Sequence, residues 1–241
     1  CGRNAAPPFF RRPSTCFDGI SNTIRLESPV WAGLSFRMSP LELELKLSVP
    51  PGVPAAELLA GAESVLGPLP AAGVRELADL YLDTRKGDLR KRGWALRLRA
   101  GPTSSKLTLK SLQSEVEGLA AREEIQVSGP PGVSVEGLLA DAVFAELRTW
   151  LRDCPLEPLF TLAKKQRCWR LCVDGLELEL TLDQVRVREH PEVPGFCELE
   201  LELLRGDPAP FRKLAHFLTT ALGYDVTTES KLDRVRRLLG G

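Results

Sequence analysis

Leu41-Glu42-Leu43-Glu44-Leu45-Lys46-Leu47 alternates apolar and charged residues without a break. That is the period of a β-strand, in which successive side chains point to opposite faces. The leucines share one face, and Glu42, Glu44 and Lys46 share the other, with neighbours on a face roughly 6–7 Å apart along the strand. Two carboxylates that close can share one divalent cation, because hard cations take oxygen ligands. A lysine next in the row can neutralise a phosphate oxygen. Taken alone, the segment also fits an ordinary amphipathic strand with a solvated face. What weighs against that plain reading is recurrence of the pattern down the chain.

Trp94-Ala95-Leu96-Arg97-Leu98-Arg99 puts Arg97 and Arg99 on one face, and Lys106-Leu107-Thr108-Leu109-Lys110 does the same with Lys106, Thr108 and Lys110. Arg122, Glu124 and Gln126 alternate in the next strand. A basic strand from Lys164 to Cys172 turns at Asp174-Gly175, a two-residue hairpin signal. It returns as Leu176-Glu177-Leu178-Glu179-Leu180-Thr181-Leu182-Asp183. Cys197-Glu198-Leu199-Glu200-Leu201-Glu202-Leu203 repeats the alternation once more.

Helical spacing appears over Glu57–Leu66, over 134–152, from Asp207-Pro208 to a stop at Gly223, and over Ser230–Leu239. The count is about eight strands and four to five helices. Short turns between strands imply antiparallel pairing. A sheet with one charged face can stay open, with helices on its dry face, or close into a barrel with a polar interior. Closure would bring Glu42, Glu44, Glu198, Glu200 and Glu202 into one cavity with Arg97, Arg99, Lys110, Arg122 and Lys165. Such a cavity is costly to desolvate, so it should hold water and suit a polyanion with a metal.

The 241 residues amount to one large or two small domains, and 43% hydrophobic with 27% charged residues is ordinary for a globular protein. The formal net charge is zero, so nothing global draws the chain to nucleic acid or membrane. No apolar run is long enough for a transmembrane helix. Cys1, Cys16, Cys154, Cys168, Cys172 and Cys197 show no CxxC pairing, and with only His190 and His216 a zinc site is not expected. Free thiols in a cytoplasmic protein are the default. Residues 1–37 are rich in proline and lack a clear period. They read as an extension ahead of a domain over 38–241, starting at Met38, or alternatively as an N-terminal arm.

The ordered set of motifs resembles the CYTH superfamily, the triphosphate tunnel metalloenzymes. Glu42-x-Glu44-x-Lys46 is similar to its ExExK signature. Tyr81-Leu82-Asp83-Thr84, Gly93 to Arg99, Leu107 to Lys110, Arg122-x-Glu124, Cys197 to Glu202 and Ser230-Lys231-Leu232 follow in the family's order. The wording from Leu182-Asp183-Gln184 to Gly206-Asp207 is most similar to bacterial inorganic triphosphatases, many of which carry a further helical domain, called CHAD, after the CYTH domain. Whether this chain belongs to a single-domain member is left open.

The resemblance implies an α+β fold: an eight-stranded antiparallel β-barrel forming a tunnel, charged inside, with helices packed outside. It implies Mg²⁺ or Mn²⁺ held by Glu42, Glu44, Glu198, Glu200 and Asp183. It implies phosphate contacts from Lys46, Arg97, Arg99, Lys110, Arg122, Lys165, Arg167 and Lys231. The register of Lys164 to Arg167 is open by one residue, and Thr181 stands where some relatives have an acidic ligand, a place that Asp183, Glu179 or a water would fill. Glu124 or a glutamate of the 198–202 row, Glu202 among them, would orient or deprotonate the water, with Lys46 beside the reacting phosphate. The expected reaction is hydrolysis of inorganic triphosphate to diphosphate and phosphate. Thiamine triphosphatase, class IV adenylate cyclase and a non-catalytic polyphosphate or nucleotide-binding module are the alternatives. The expected partner is a triphosphate-containing small molecule rather than nucleic acid or membrane, with the chain a monomer or homodimer.

Plain structural roles are expected elsewhere. Trp94 and Trp169 should pack outside the barrel, and His216 should face solvent. Cys168 and Cys172 should be packing residues. Arg234, Arg236 and Arg237 should form a solvated helix face.

Overall fold

The computed structural model describes residues 42–112, 115–116, 118–152 and 154–240. Expectations about residues 1–37 lie outside that range. Eleven strands form one antiparallel sheet. They are β1 (Glu42–Val49), β2 (Gly73–Thr84), β3 (Trp94–Ala100), β4 (Ser105–Ser111), β5 (Glu115–Val116), β6 (Leu119–Arg122), β7 (Glu124–Gly129), β8 (Leu156–Val173), β9 (Leu176–Val187), β10 (Phe196–Arg205) and β11 (Asp225–Val226). The lateral order is β6-β1-β10-β9-β8-β2-β3-β4-β7, with β5 beyond β6 and β11 on β1.

The two ends of that order are one piece of chain. Arg122, at the end of β6, pairs with Glu42 on one side, and Glu124, at the start of β7, pairs with Lys110 on the other. The sheet is thereby brought round into a nearly closed barrel. Its ring holds nine strands rather than the expected eight, because the break at Glu123 divides one stave in two. At that break the Ser111 amide donates to the Glu123 carbonyl at 2.9 Å, and the Glu123 amide donates to the Ser111 hydroxyl at 3.0 Å.

The barrel is inverted relative to a small soluble protein's usual core: leucines point out and charges point in. Outside, the leucines of β1, β9 and β10 pack under α1 (Ala55–Leu66) and α5 (Pro208–Leu222), with Leu45, Leu47, Leu58, Leu178, Leu199 and Phe211 all buried. The two helices approach closely at Gly61, where a Cβ would lie 2.6 Å from the Leu222 side chain. Asp207 caps α5 by accepting from the Ala209 amide, Pro208 opens it, and Gly223 closes it at φ 67°, as the sequence suggests.

A second cluster lies outside β3 and β4, where Leu96, Leu107 and Leu109 meet Leu89 of α2 (Asp88–Lys91) and Leu138 and Leu139 of α3 (Val135–Leu139). Phe144, and Leu147 of α4 (Ala145–Leu151), complete it. Trp94 and Trp169 are buried in these outer clusters.

Two local readings are corrected. The stretch 134–152 is not one helix. Asp141 accepts from the Val143 amide and starts a 3-10 turn at Ala142–Phe144, so α3 and α4 are separate. The basic strand is longer than its charged part and runs back to Leu156. The β8–β9 turn is as expected, with Asp174 at φ 49° and Gly175 at φ 81°, the left-handed pair that a tight hairpin needs.

A third apolar cluster sits at one end of the barrel. Tyr81, Phe160, Leu162, Val185 and Phe196 turn toward that end and pack on Leu232 and Val235 of α6 (Lys231–Leu238). The helix starts on Ser230, whose hydroxyl accepts from the Asp233 amide at 3.0 Å. It caps one end of the barrel and aims its first residue, Lys231, into the charged interior.

Candidate active site

The barrel encloses a cavity of about 530 Å³ lined by ten basic and six acidic side chains. Three further carboxylates, Asp79, Asp183 and Glu198, are fully buried behind that lining. The charges are sorted by strand into an acidic wall and a basic wall.

The acidic wall is built by register. On β1 and β10, Glu44 lies opposite Glu202, Lys46 opposite Glu200 and Ser48 opposite Glu198. On β10 and β9, Glu202 faces Glu179, Glu200 faces Thr181 and Glu198 faces Asp183. Near the capped end, Lys231 gathers three carboxylates: Glu200 at 2.6 Å, Glu198 at 2.9 Å and Asp183 at 3.2 Å. Burial works against the lysine's charge, but these carboxylates outweigh it and hold its pKa well above the ordinary value.

Higher on the wall, Lys46 stands between Glu44 at 3.4 Å and Glu200 at 3.5 Å. Arg122 reaches Glu44 at 3.4 Å and donates to the Thr228 carbonyl at 2.7 Å. Lys110 contacts Glu42 closely and Glu124 at 3.7 Å. Among the described residues, no cation pairs directly with Glu202. Burial first, then the charges of Glu42 and Glu44, push its pKa up to about 8. Burial also raises Glu42, against the pull of Lys110.

The basic wall turns on Asp79. Its side chain is 0% exposed, and Arg99 binds both carboxylate oxygens, Nε at 2.6 Å and Nη2 at 2.8 Å. Arg97 lies 3.7 Å and Lys164 3.6 Å from the same carboxylate. Burial alone would raise Asp79, but the Arg99 bonds and the charges of Arg97 and Lys164 hold it well below the usual carboxylate range. Three cations thus converge on one small anion. Asp79 escaped the sequence reading. The available signal was position: it precedes Tyr81 by two residues and so shares the inward face of β2.

The structure brings most of the expected residues together. Glu42, Glu44, Lys46, Arg97, Arg99, Lys110, Arg122, Glu124, Glu200, Glu202 and Lys231 all line the cavity. Asp183 and Glu198 sit one layer behind. Asp183 accepts from Lys164 at 3.0 Å and Gln166 at 2.9 Å, and Glu198 is held by Arg234 at 3.1 Å as well as by Lys231.

Lys165 and Arg167 are a correction. Strand alternation sends Lys164 and Gln166 inward. Lys165 is exposed, and Arg167 stacks outside over the Trp169 ring at 5.3 Å. Arg234 is a second correction. It does not belong to a solvated face, since it bonds Glu198 and lies 4.2 Å from the centre of the Phe196 ring. Arg237 is exposed and pairs with Glu229, and His216 is exposed. Cys168 is buried and Cys172 exposed.

Among the described residues, no group of three or more carboxylate, imidazole or thiol side chains is arranged to hold a metal ion by itself. A cation could still be held here. Glu44 Oε1 is buried and accepts no hydrogen bond, with Lys46 and Arg122 each at 3.4 Å, while Lys110 contacts Glu42 Oε2. Glu202 faces the same pair. Crowded oxygens with unmet acceptor capacity suit a hard divalent cation that completes its shell with water and phosphate oxygens. Glu198, Glu200 and Asp183 are instead engaged by Lys231.

A barrel with helices outside and opposed acidic and basic walls inside defines a recognisable class, and the comparisons agree. The CYTH domain model matches residues 40–235, and the chain belongs to that family. A putative adenylyl cyclase from Hippeastrum, described as having a dominant triphosphatase activity, has a similar fold (TM-score 0.61). It is 22% identical over 81% of this chain and 95% of its own. A Pyrococcus horikoshii OT3 protein matches with TM-score 0.54 at 21% identity, over 81% of this chain and 98% of its own. A putative adenylate cyclase from Bacillus halodurans matches with TM-score 0.53 at 20% identity, over 80% and 96%.

Proposed function

We propose that the protein hydrolyses inorganic triphosphate to diphosphate and phosphate, with Mg²⁺ or Mn²⁺ held by Glu42 and Glu44. The observation that carries this reading is the two-walled cavity. Arg97, Arg99 and Lys164 converge on Asp79, and only Lys164 has a second carboxylate, Asp183, so positive charge is in excess on this wall. Opposite them, Glu42, Glu44 and Glu202 crowd together with too little cation. A phosphate chain with a divalent cation satisfies both walls at once; an anion alone or a cation alone satisfies one.

Arg97 and Arg99 would grip phosphate oxygens with the planar forks that guanidinium offers, and Lys164 would add a point charge. Lys46, Lys110 and Arg122 would offset charge where the chain meets the acidic wall. The divalent cation, when bound, would neutralise oxygens around the scissile bond and lower the pKa of a bound water. Glu202 or Glu124 would take a proton from the water as its oxygen attacks the terminal phosphorus. The bond to the bridging oxygen then breaks, and diphosphate leaves with the electron pair. No covalent nucleophile is needed, since phosphoryl transfer rests mainly on positioning and electrostatics.

Within the cavity Tyr81 is the one aromatic side chain among the described residues, and it lies at the capped end. Nothing else there stacks a base or a thiazolium, which favours inorganic triphosphate over ATP and thiamine triphosphate. Phosphate release from these three substrates should be fastest with inorganic triphosphate. Equal or faster release from ATP would overturn the substrate assignment. Calorimetric titration of Arg97→Ala with inorganic triphosphate should show binding weaker by roughly 1.5–3 kcal/mol, the worth of a charge-assisted hydrogen bond. A change under about 0.5 kcal/mol, typical of a solvated surface arginine, would remove Arg97 from the site.

A further inference from the structure

The geometry points to Arg234 as a positioning residue: through Glu198 it sets where Lys231 stands, and so keeps Lys46 available to the substrate. This deepens the triphosphatase reading and rests on it. Arg234 stands behind the cavity lining, to which α6 contributes Lys231 and Leu232. Any effect it has on the reaction must therefore pass through another side chain.

That side chain is Glu198, which is 0% exposed and has its two oxygens divided. Oε1 accepts from Arg234 Nη1 at 3.1 Å, and Oε2 lies 2.9 Å from the Lys231 ammonium. One buried carboxylate thus grips two residues a turn apart on α6. The guanidinium of Arg234 also lies 4.2 Å from the centre of the Phe196 ring. Phe196 precedes Glu198 by two residues and shares its face of β10. Ring and carboxylate together fix a planar group that a lysine could not reproduce.

The next step of the relay is a shared oxygen. Lys231 lies 2.6 Å from Glu200 Oε1, and Lys46 stands off the same oxygen at 3.5 Å. Without Arg234, Glu198 is a buried carboxylate with Lys231 as its one cation, and both of its oxygens turn to that lysine. The ammonium is drawn from Glu200, Lys46 closes on the oxygen left behind, and its charge is neutralised there instead of on phosphate. The cap itself stays in place. Leu232 and Val235 remain buried against the barrel end, and Arg90 reaches Asp233 at 3.4 Å.

The test titrates inorganic triphosphate into the full chain calorimetrically, without divalent cation, at a temperature where melting curves show every variant folded. Arg234→Met should weaken binding about tenfold, the weight of one charge-assisted hydrogen bond. Arg234→Lys keeps the charge but not the planar contact, and should rescue most of that loss. In a Glu198→Gln background, Arg234→Met should change affinity less than about twofold, since the path is already cut. Wild-type affinity in Arg234→Met would overturn the inference. So would an equal loss in both backgrounds, the result expected of a residue that only pins α6. If Arg234→Met does not fold, Arg234→Lys decides by the same rule: a loss confined to the Glu198 background supports the relay, and no loss or an equal loss overturns it. Wild type that binds no triphosphate would sink the triphosphatase reading, and this inference with it.

Discussion

Asp79→Asn is expected to destabilise the protein by about 3–5 kcal/mol, the usual cost of removing one partner from a buried charge cluster. Asn keeps the shape and one acceptor but leaves Arg97 and Arg99 without their carboxylate and Lys164 with Asp183 alone. Chemical denaturation measures the loss. Two further readouts separate a positioning role from mere packing. Inorganic triphosphate should stabilise the variant more than it stabilises wild type, because the ligand then supplies the missing anion.

The acid limb should change as well. Asp79 titrates well below its ordinary value, so its stabilisation is present above its unfolded pKa of about 3.9 and is lost as pH falls further. The variant should therefore lose less stability than wild type below about pH 4. A variant as stable as wild type, with an unchanged acid limb, would show that Asp79 does not hold the basic wall.

Lys231→Met is the second large expectation. Lys231 lies within 3.2 Å of Asp183, Glu198 and Glu200. Its raised pKa means that its contribution is complete at neutral pH and disappears only as pH rises past its folded value, above about 10.4. The methionine variant keeps the aliphatic stem and drops the charge. Each carboxylate retains another partner: Lys164 for Asp183, Arg234 for Glu198 and Lys46 for Glu200. The cost should therefore sit near the lower end of the range for a broken buried pair, about 3 kcal/mol.

Mg²⁺ or Mn²⁺ should restore much of that loss, because the freed oxygens form a site for a hard cation. Thermal unfolding with and without the cation decides it. If the cation stabilises variant and wild type equally, these three carboxylates are not potential ligands, and any metal role stays with Glu42 and Glu44.

The parts legible from the sequence were those with an unambiguous period. In β1, β9 and β10, strict alternation of leucine with charge left one choice of face, and the structure follows it. The basic run Lys164 to Arg167 offered cations on both faces, so alternation alone could not fix which pair pointed inward. The tie was broken by tertiary packing, with Trp169 and Arg167 covering the outer face. Asp79 was hidden because a single carboxylate between leucine and alanine has no pattern of its own. Its importance comes from Arg97, Arg99 and Lys164, which meet it only in the folded chain.

Lys231 was found as a site residue, but its partners were not. The resemblance of Ser230-Lys231-Leu232 to the family's C-terminal lysine segment implies a phosphate contact, while the fold sets Lys231 among three acids. Arg234 was misread for a related reason. On α6 it follows Lys231 by three residues and so shares its face toward the barrel, a relation visible only once that helix is known to cap the end.

The central claim is that Glu42 and Glu44 hold a divalent cation for cleaving a phosphate chain gripped from the opposite wall. The most direct measurement is phosphate release from inorganic triphosphate, with Mg²⁺ titrated from zero, by wild type and Glu42→Gln. The variant keeps size and hydrogen-bonding capacity while removing one negative charge. Wild type should show no release without the cation and saturable release with it. Glu42→Gln should need more cation and turn over at least tenfold more slowly, while calorimetric triphosphate affinity changes much less. Release by wild type that is independent of the cation, or a variant with the wild-type cation response, would contradict the account.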